Sequence, residues 1–160
     1  MQLGLNDKVA IVTGSGRGIG AETARALAEE GARIVVTDID AQVASEHCAA
    51  LRRDGFQAIA IAADVTRAED VERLVQSARD AFGSVHVLVN NAGFARDARI
   101  TKLSEADWDA VVDTVLKGAF LCTKAVAPVM AAQHWGRVVN ISSRAHLGNP
   151  GQANYSAAKA

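Results

Sequence analysis

The 160-residue sequence has little of what marks several common functions. It holds two cysteines, Cys48 and Cys122, each alone in a helix-like segment and neither part of a C-x-x-C pair. That excludes a disulfide framework and indicates no metal centre. The four histidines, His47, His86, His134 and His146, show no metal-ligand spacing and read as structural or solvent-facing. No excess of one charge is present: 17 Lys and Arg stand against 18 Asp and Glu, a formal net charge of −1, so neither nucleic acid nor an anionic membrane is indicated as a partner. No run reaches the ~20 apolar residues of a membrane span, and "MQLGLNDKVA" lacks the basic start and apolar stretch of an export signal, so a cytoplasmic protein is expected. Linkers, repeats and low-complexity tracts are also missing, and the length suits one domain covering 1–160.

What is present is a regular alternation of two patterns. Hydrophobic residues make up 49 % and charged residues 22 %, the balance of a folded globular protein. The runs "KVAIVT" (8–13), "RIVVTD" (33–38), "QAIAIAAD" (57–64), "HVLVNNAG" (86–93) and "RVVNISS" (137–143) are rich in Val and Ile and nearly continuous, as strands covered on both faces are. Between them, 19–31, 41–55, 67–83 and the long 104–133 carry apolar residues three and four apart, the period of a helix with one buried stripe. Gly31, Gly55 and Gly83 fall where helices would end. Strands alternating with helices in this way point to the α/β class, a doubly wound parallel sheet of Rossmann-like form.

In such sheets ligands bind beyond the carboxyl ends of the strands. After the first strand comes "TGSGRGIG" (13–20), whose Gly14, Gly18 and Gly20 form G-x-x-x-G-x-G and not a strict G-x-G-x-x-G. Glycines there let the backbone turn sharply and approach a ligand, while the N–H groups of the next helix point at an anion such as a pyrophosphate. A plain glycine-rich turn is the other reading. Asp38 ends the second strand, where a carboxylate can accept both hydroxyls of an adenosine ribose and would repel a 2′-phosphate. NAD is therefore favoured, with NADP possible because Arg17 and Arg33 lie in neighbouring segments and can offset the repulsion. The alternative for Asp38 is an N-cap of the following helix. Asp64 and Val65 close the third strand and "NNAG" (90–93) the fourth; side-chain amides at a tip either bind a cofactor or tie loops together.

At the fifth tip stand Ser142 and Ser143, followed by Tyr155 and Lys159. Four residues apart on a helix, the last two share a face. A free phenol, with a pKa near 10, is a poor acid or base at neutral pH, but an ammonium one turn away stabilises its ionised form and makes it a plausible general acid or base. A serine hydroxyl nearby could hold the oxygen being transformed. Tyr and Lys at this spacing also occur by accident.

Read together, "TGSGRGIG", "NNAG", "NISS" and "YSAAK" resemble the short-chain dehydrogenase/reductase family over essentially the whole chain. "GNPGQANYSAAKA" is further similar to the 3-oxoacyl-[acyl-carrier-protein] reductases, wording shared with many alcohol and sugar dehydrogenases. The resemblance implies an NAD(P)-dependent oxidoreductase that interconverts a secondary alcohol and a ketone, with a small carbonyl, alcohol or acyl thioester as substrate. It implies Gly14, Arg17, Gly18, Ile19, Gly20 and Asp38 at the cofactor. Asp64 and Val65 would contact the adenine, and Asn91, Ala92 and Gly93 would line the cofactor. Tyr155 would exchange the proton, Lys159 would lower the tyrosine pKa and bind the nicotinamide ribose, and Ser143 would bind the substrate oxygen. The loop after "NISS" is one residue shorter than in those reductases: counting forward gives Ser143, counting back from the tyrosine gives Ser142, and strand geometry favours Ser143.

Two departures follow. Where the family has an asparagine in a "VNLKG"-like stretch, this chain reads "TVLKG", with Val115 at the position. That asparagine supports a water linking the lysine to solvent, so an impaired proton relay with cofactor binding kept is expected. Members of the family also continue well past this point. The chain is therefore expected to be the front part of a longer enzyme, lacking the C-terminal part of the fold. Its last helix would be too short to hold Tyr155 and Lys159 in register, its sheet edge uncovered and the apolar face of 104–133 open. A homodimer or homotetramer is expected at full length. A noncatalytic dinucleotide-binding fragment is the alternative.

Overall fold

The apolar runs become strands because Val and Ile fill a pleated surface that has helices on both sides. In the computed structural model, which describes residues 3–160, they are β1 (Val9–Thr13), β2 (Arg33–Asp38), β3 (Ala58–Ala62), β4 (Val87–Asn90) and β5 (Arg137–Asn140). All pair in parallel, in the order β3-β2-β1-β4-β5. Ile11 of β1 sits beside Val35 on one flank and Leu88 on the other. Side chains alternate between two cores: Ile11, Val35 and Leu88 pack with Leu74 and Val126, and Val12, Ile34 and Val89 pack with Ala24 and Leu51. Each such fully buried Val, Leu or Ile contributes about 1.5–3 kcal/mol.

Continuous burial holds for β1, β2 and β4 and fails at the sheet's two edges. Every residue of β5 is exposed, and β3 is buried only in part. A run of apolar letters therefore marks a strand here without marking its coverage.

The helices follow their periodicity closely. They are α1 (Gly18–Glu29), α2 (Ala41–Arg53) and α3 (Ala68–Phe82). Asp40 caps α2 by accepting from Gln42 N at 3.0 Å and Val43 N at 3.3 Å. Gly83 ends α3 at φ +84°, a left-handed turn that costs any other residue more.

The long segment is not one regular helix. Ser104 caps α4 (Glu105–Val112), a single π turn spans Asp113–Lys117, and α5 (Gly118–Ala132) completes it. Together Glu105–Ala132 make 28 residues, long and apolar enough by length and composition to cross a membrane, which corrects the expectation that no segment is. Here Val111, Cys122 and Val126 are buried in the protein's cores, and Leu116 and Phe120 are 54 % and 59 % exposed.

The last helix, α6 (Ala153–Lys159), is formed, contrary to the expectation that its shortness would leave the Tyr/Lys pair unheld. Tertiary anchors offset the cost of nucleating it. Fully buried Asn154 donates from Nδ2 to Arg96 O at 3.2 Å and Asp107 O at 3.1 Å, and Ser142 Oγ donates to Lys159 O at 2.7 Å.

Candidate functional site

The strand order reverses between β1 and β4, and a crevice of about 520 Å³ opens beyond the carboxyl ends at that point. Its floor is the glycine loop. Gly14 and Gly18 have φ of +62° and +58°, the left-handed region that suits glycine. A Cβ at Gly20 would lie 2.3 Å from Gly14 O and 2.5 Å from Asn91 Nδ2, so a side chain there would force the loop apart. Gly14, Arg17, Ile19 and Gly20 line the crevice; Gly18 does not, and its place is the first residue of α1.

Asp38 lies against this loop. Its Oδ2 accepts from Gly16 N at 3.1 Å and its Oδ1 from Asp40 N at 3.3 Å, while the residue lines the crevice. The N-cap alternative falls to Asp40, two residues on. Arg33 cannot moderate the charge of Asp38. It begins the strand that Asp38 ends, about 16 Å away along β2, and pairs with Asp7 at 2.7 Å. Arg17 remains as the crevice cation on this side. His47 supports the loop from behind through its Nδ1, 2.6 Å from Ser15 O. His86 is structural as well, its Nδ1 accepting from Val9 N at 3.0 Å.

The two asparagines at the β4 tip tie loops together. Asn91 Nδ2 donates to Thr13 O at 2.9 Å and Gly14 O at 3.1 Å. Asn90 Nδ2 donates to Asn140 Oδ1 at 2.8 Å. Thr13 Oγ1 accepts from both Asn91 N and Ala92 N at 3.0 Å, an anchor the sequence reading passed over. Asn91, Ala92 and Gly93 still form crevice wall, as do Asp64 and Val65, with Asp64 Oδ1 accepting from Thr66 N at 2.9 Å.

Ser142, Ser143, Tyr155 and Lys159 line the same crevice. Lys159 is buried, its Nζ donating to Ile141 O at 2.5 Å and lying 5.8 Å from the centre of the Tyr155 ring. Burial holds its ammonium below the usual lysine range. Ser142 spends its hydroxyl hydrogen on Lys159 O, whereas Ser143 Oγ accepts from Ala145 N at 3.2 Å and keeps its hydrogen to donate. Val115 is buried in the π turn: a Cβ on Gly93 would lie 2.9 Å from its Cγ2 and 3.8 Å from Lys159 Nζ. An aliphatic side chain and the lysine ammonium therefore both face Gly93.

The crevice walls also include Thr37, Ile39, Phe94 and Thr114, which no motif contained; Thr37 and Ile39 flank Asp38 and Phe94 follows Gly93, positions that carry a signal, and Thr114 has none. Among the described residues, no cluster of three or more His, Cys, Asp or Glu side chains is placed to hold a metal. The glycine cradle, the free helix N-terminus behind it and the tip carboxylate fit a dinucleotide.

The family model for short chain dehydrogenase matches residues 8–160. A 3-oxoacyl-[acyl-carrier-protein] reductase from Synechocystis sp. is 48 % identical over 158 residues, covering 98 % of this chain and 64 % of that protein. A (2S)-[(R)-hydroxy(phenyl)methyl]succinyl-CoA dehydrogenase subunit from Thauera aromatica is 44 % identical, over 99 % of this chain and 64 % of its own length. The crystal structure of a short chain dehydrogenase from Mycobacterium avium superposes with a TM-score of 0.91 at 38 % identity, over 97 % of this chain and 59 % of that one. The chain thus spans just under two thirds of the length of the relatives it matches.

Proposed function

We propose, from the premise that this chain belongs to the short-chain dehydrogenase family, that it binds NAD(H) in the crevice and interconverts a secondary alcohol and a ketone there. The observation that carries this reading is the placement of Ser143, Tyr155 and Lys159 on one wall of a crevice whose floor is the glycine loop. A bound nicotinamide would supply or take up the hydride at the substrate carbon. The glycine loop and the start of α1 would hold the pyrophosphate, and Asp38 the adenosine ribose. Asp38 is a largely buried carboxylate with Arg17 as the remaining cation, which favours NAD, with NADP the weaker partner.

In the reducing direction Tyr155 would give its phenolic proton to the carbonyl oxygen, which together with one hydride on the carbon accounts for both hydrogens and both electrons of the alcohol. Ser143 donates its free hydroxyl hydrogen to that oxygen and holds it in place. The Lys159 ammonium stabilises the negative charge left on the phenol by Coulomb attraction in a poorly hydrated site. Oxidation runs the same steps in reverse.

A 3-oxoacyl thioester is the substrate favoured by the printed names of the relatives, and the exposed Leu116 and Phe120 favour a homo-oligomer in the complete protein. The 160 residues would act as one dinucleotide-binding unit. A second reading, a noncatalytic dinucleotide-binding fragment, draws on the aliphatic Val115 at Gly93, which Lys159 also faces, and on the exposed β5. One experiment separates them: titrate the chain with NADH by nicotinamide fluorescence, then add a small 3-ketoacyl thioester and follow NADH absorbance. Binding with oxidation supports the first, binding without oxidation the second, and no binding removes both.

A further inference from the structure

Thr37 poses a question that the proposed chemistry leaves unanswered. It is the next-to-last residue of β2, only 1 % exposed, and its Oγ1 has no hydrogen-bond partner among the described residues. Its backbone is fully engaged: Thr37 N donates to Ser15 Oγ at 3.1 Å, and Thr37 O accepts from Ser15 N at 2.9 Å. Its neighbours Val35 and Val36 show that a strand here accepts valine, the same shape without the hydroxyl. Native proteins rarely bury such a group unpaired, and each one needs an explanation.

Its position supplies one. Strand residues alternate faces, so with Asp38 turned toward Gly16, Thr37 turns to the other side of the sheet, the side on which Val35 meets Ala63 and Val65. Thr37, Ala63, Asp64 and Val65 all line the crevice, at the end where Asp38 stands. If Asp38 holds the adenosine ribose, the group beyond it is the base, a heterocycle whose rim carries both acceptor nitrogens and an amine donor. A hydroxyl, donor and acceptor at once, can pair with either.

We infer that Thr37 is a binding determinant for the adenine end of the cofactor, its hydroxyl left unpaired by the protein so that the ligand can pair it. This rests on the cofactor reading above, and the test is arranged so that the two fail differently. The wild-type chain, Thr37→Val and Thr37→Ser are titrated with AMP by calorimetry and with NADH by fluorescence, and each is melted without ligand. One neutral hydrogen bond corresponds to about a 2–10-fold change in Kd. Thr37→Val should lose that factor for both ligands, Thr37→Ser should retain most of the affinity, and the ligand-free melting temperature of Thr37→Val should be unchanged or higher. If wild type binds but Thr37→Val binds AMP equally well, this inference alone is wrong. If Thr37→Val melts lower without ligand or fails to fold, the hydroxyl serves the fold and the inference is wrong for that reason. If wild type binds neither ligand, the cofactor reading fails and takes this one with it.

Discussion

At the β1–β2 end of the crevice all of β1 is buried, and the polar side chains that line the site are also ties of the fold. Asp38 holds Gly16 N, and Asn91 holds the carbonyls of Thr13 and Gly14. At the β5–α6 end the strand is exposed throughout, Val138 and Val139 at 40 % and 46 %, and the charge of Lys159 is buried against one carbonyl. The two ends serve one proposed reaction with opposite economies. Where the ligand would be held, the proposed binding groups and the structural groups coincide, so function and stability would be gained together. Where the chemistry would occur, the fold carries a desolvated cation and an exposed strand, so the proposed function is set against stability.

The largest effect should come from breaking the chemistry end alone. Tyr155→Phe removes the proton that reaches the substrate oxygen and leaves the glycine loop untouched. Turnover of a ketoacyl substrate should fall by about 10²–10⁴-fold, the usual worth of a general acid, while the NADH Kd stays within about twofold. A comparable loss of NADH affinity would show that the two ends are not separable. The converse break is Gly20→Ala, whose new Cβ would meet Gly14 O at 2.3 Å. NADH affinity should drop by about tenfold or more, and stability measured by urea unfolding by about 1–3 kcal/mol, because the loop that binds is also packed. Binding lost at full stability would contradict the coincidence of roles at this end.

The same contrast explains what could be read from the letters. All five strands were marked by Val- and Ile-rich runs, three with glycine or asparagine and two with aspartate at the tip, and the glycine loop and the Tyr/Lys pair stood out by residue type. What escaped depends on partners far away in the chain. Thr13 anchors Asn91 across 78 residues, a contact that exists only because β1 and β4 are neighbours. Asn154 holds α6 in place through carbonyls 47 and 58 residues away, so the instability inferred from its length alone was misleading. The π turn around Val115 shifts a helical bond by one residue without disturbing the apolar period, and the exposure of β5 depends on what lies beside it rather than on "RVVN". Choosing Asp40 over Asp38 as the cap required the geometry of two carboxylates two residues apart.

The smallest effect is the sharpest test of the cost assigned to the α6 end. Burial lowers the pKa of Lys159 in the folded chain, so between that value and the unfolded lysine's ~10.4 the unfolded state binds more protons. Stability contributed by this group therefore rises with pH across that window, as the folded chain sheds its buried charge. Lys159→Met has no charge to shed. It also leaves Ile141 O without its 2.5 Å partner, but that loss does not follow the titration. The cysteine thiols, with Cys122 pushed up to about 12 by burial, titrate alike in both proteins and cancel in the difference. Melting both chains without ligand at pH 7 and pH 10, the gap should move in favour of wild type as pH rises, by about 1–2 °C. A gap independent of pH would mean that the ammonium is stabilised where it lies, and that the chemistry end costs the fold no more than the binding end does.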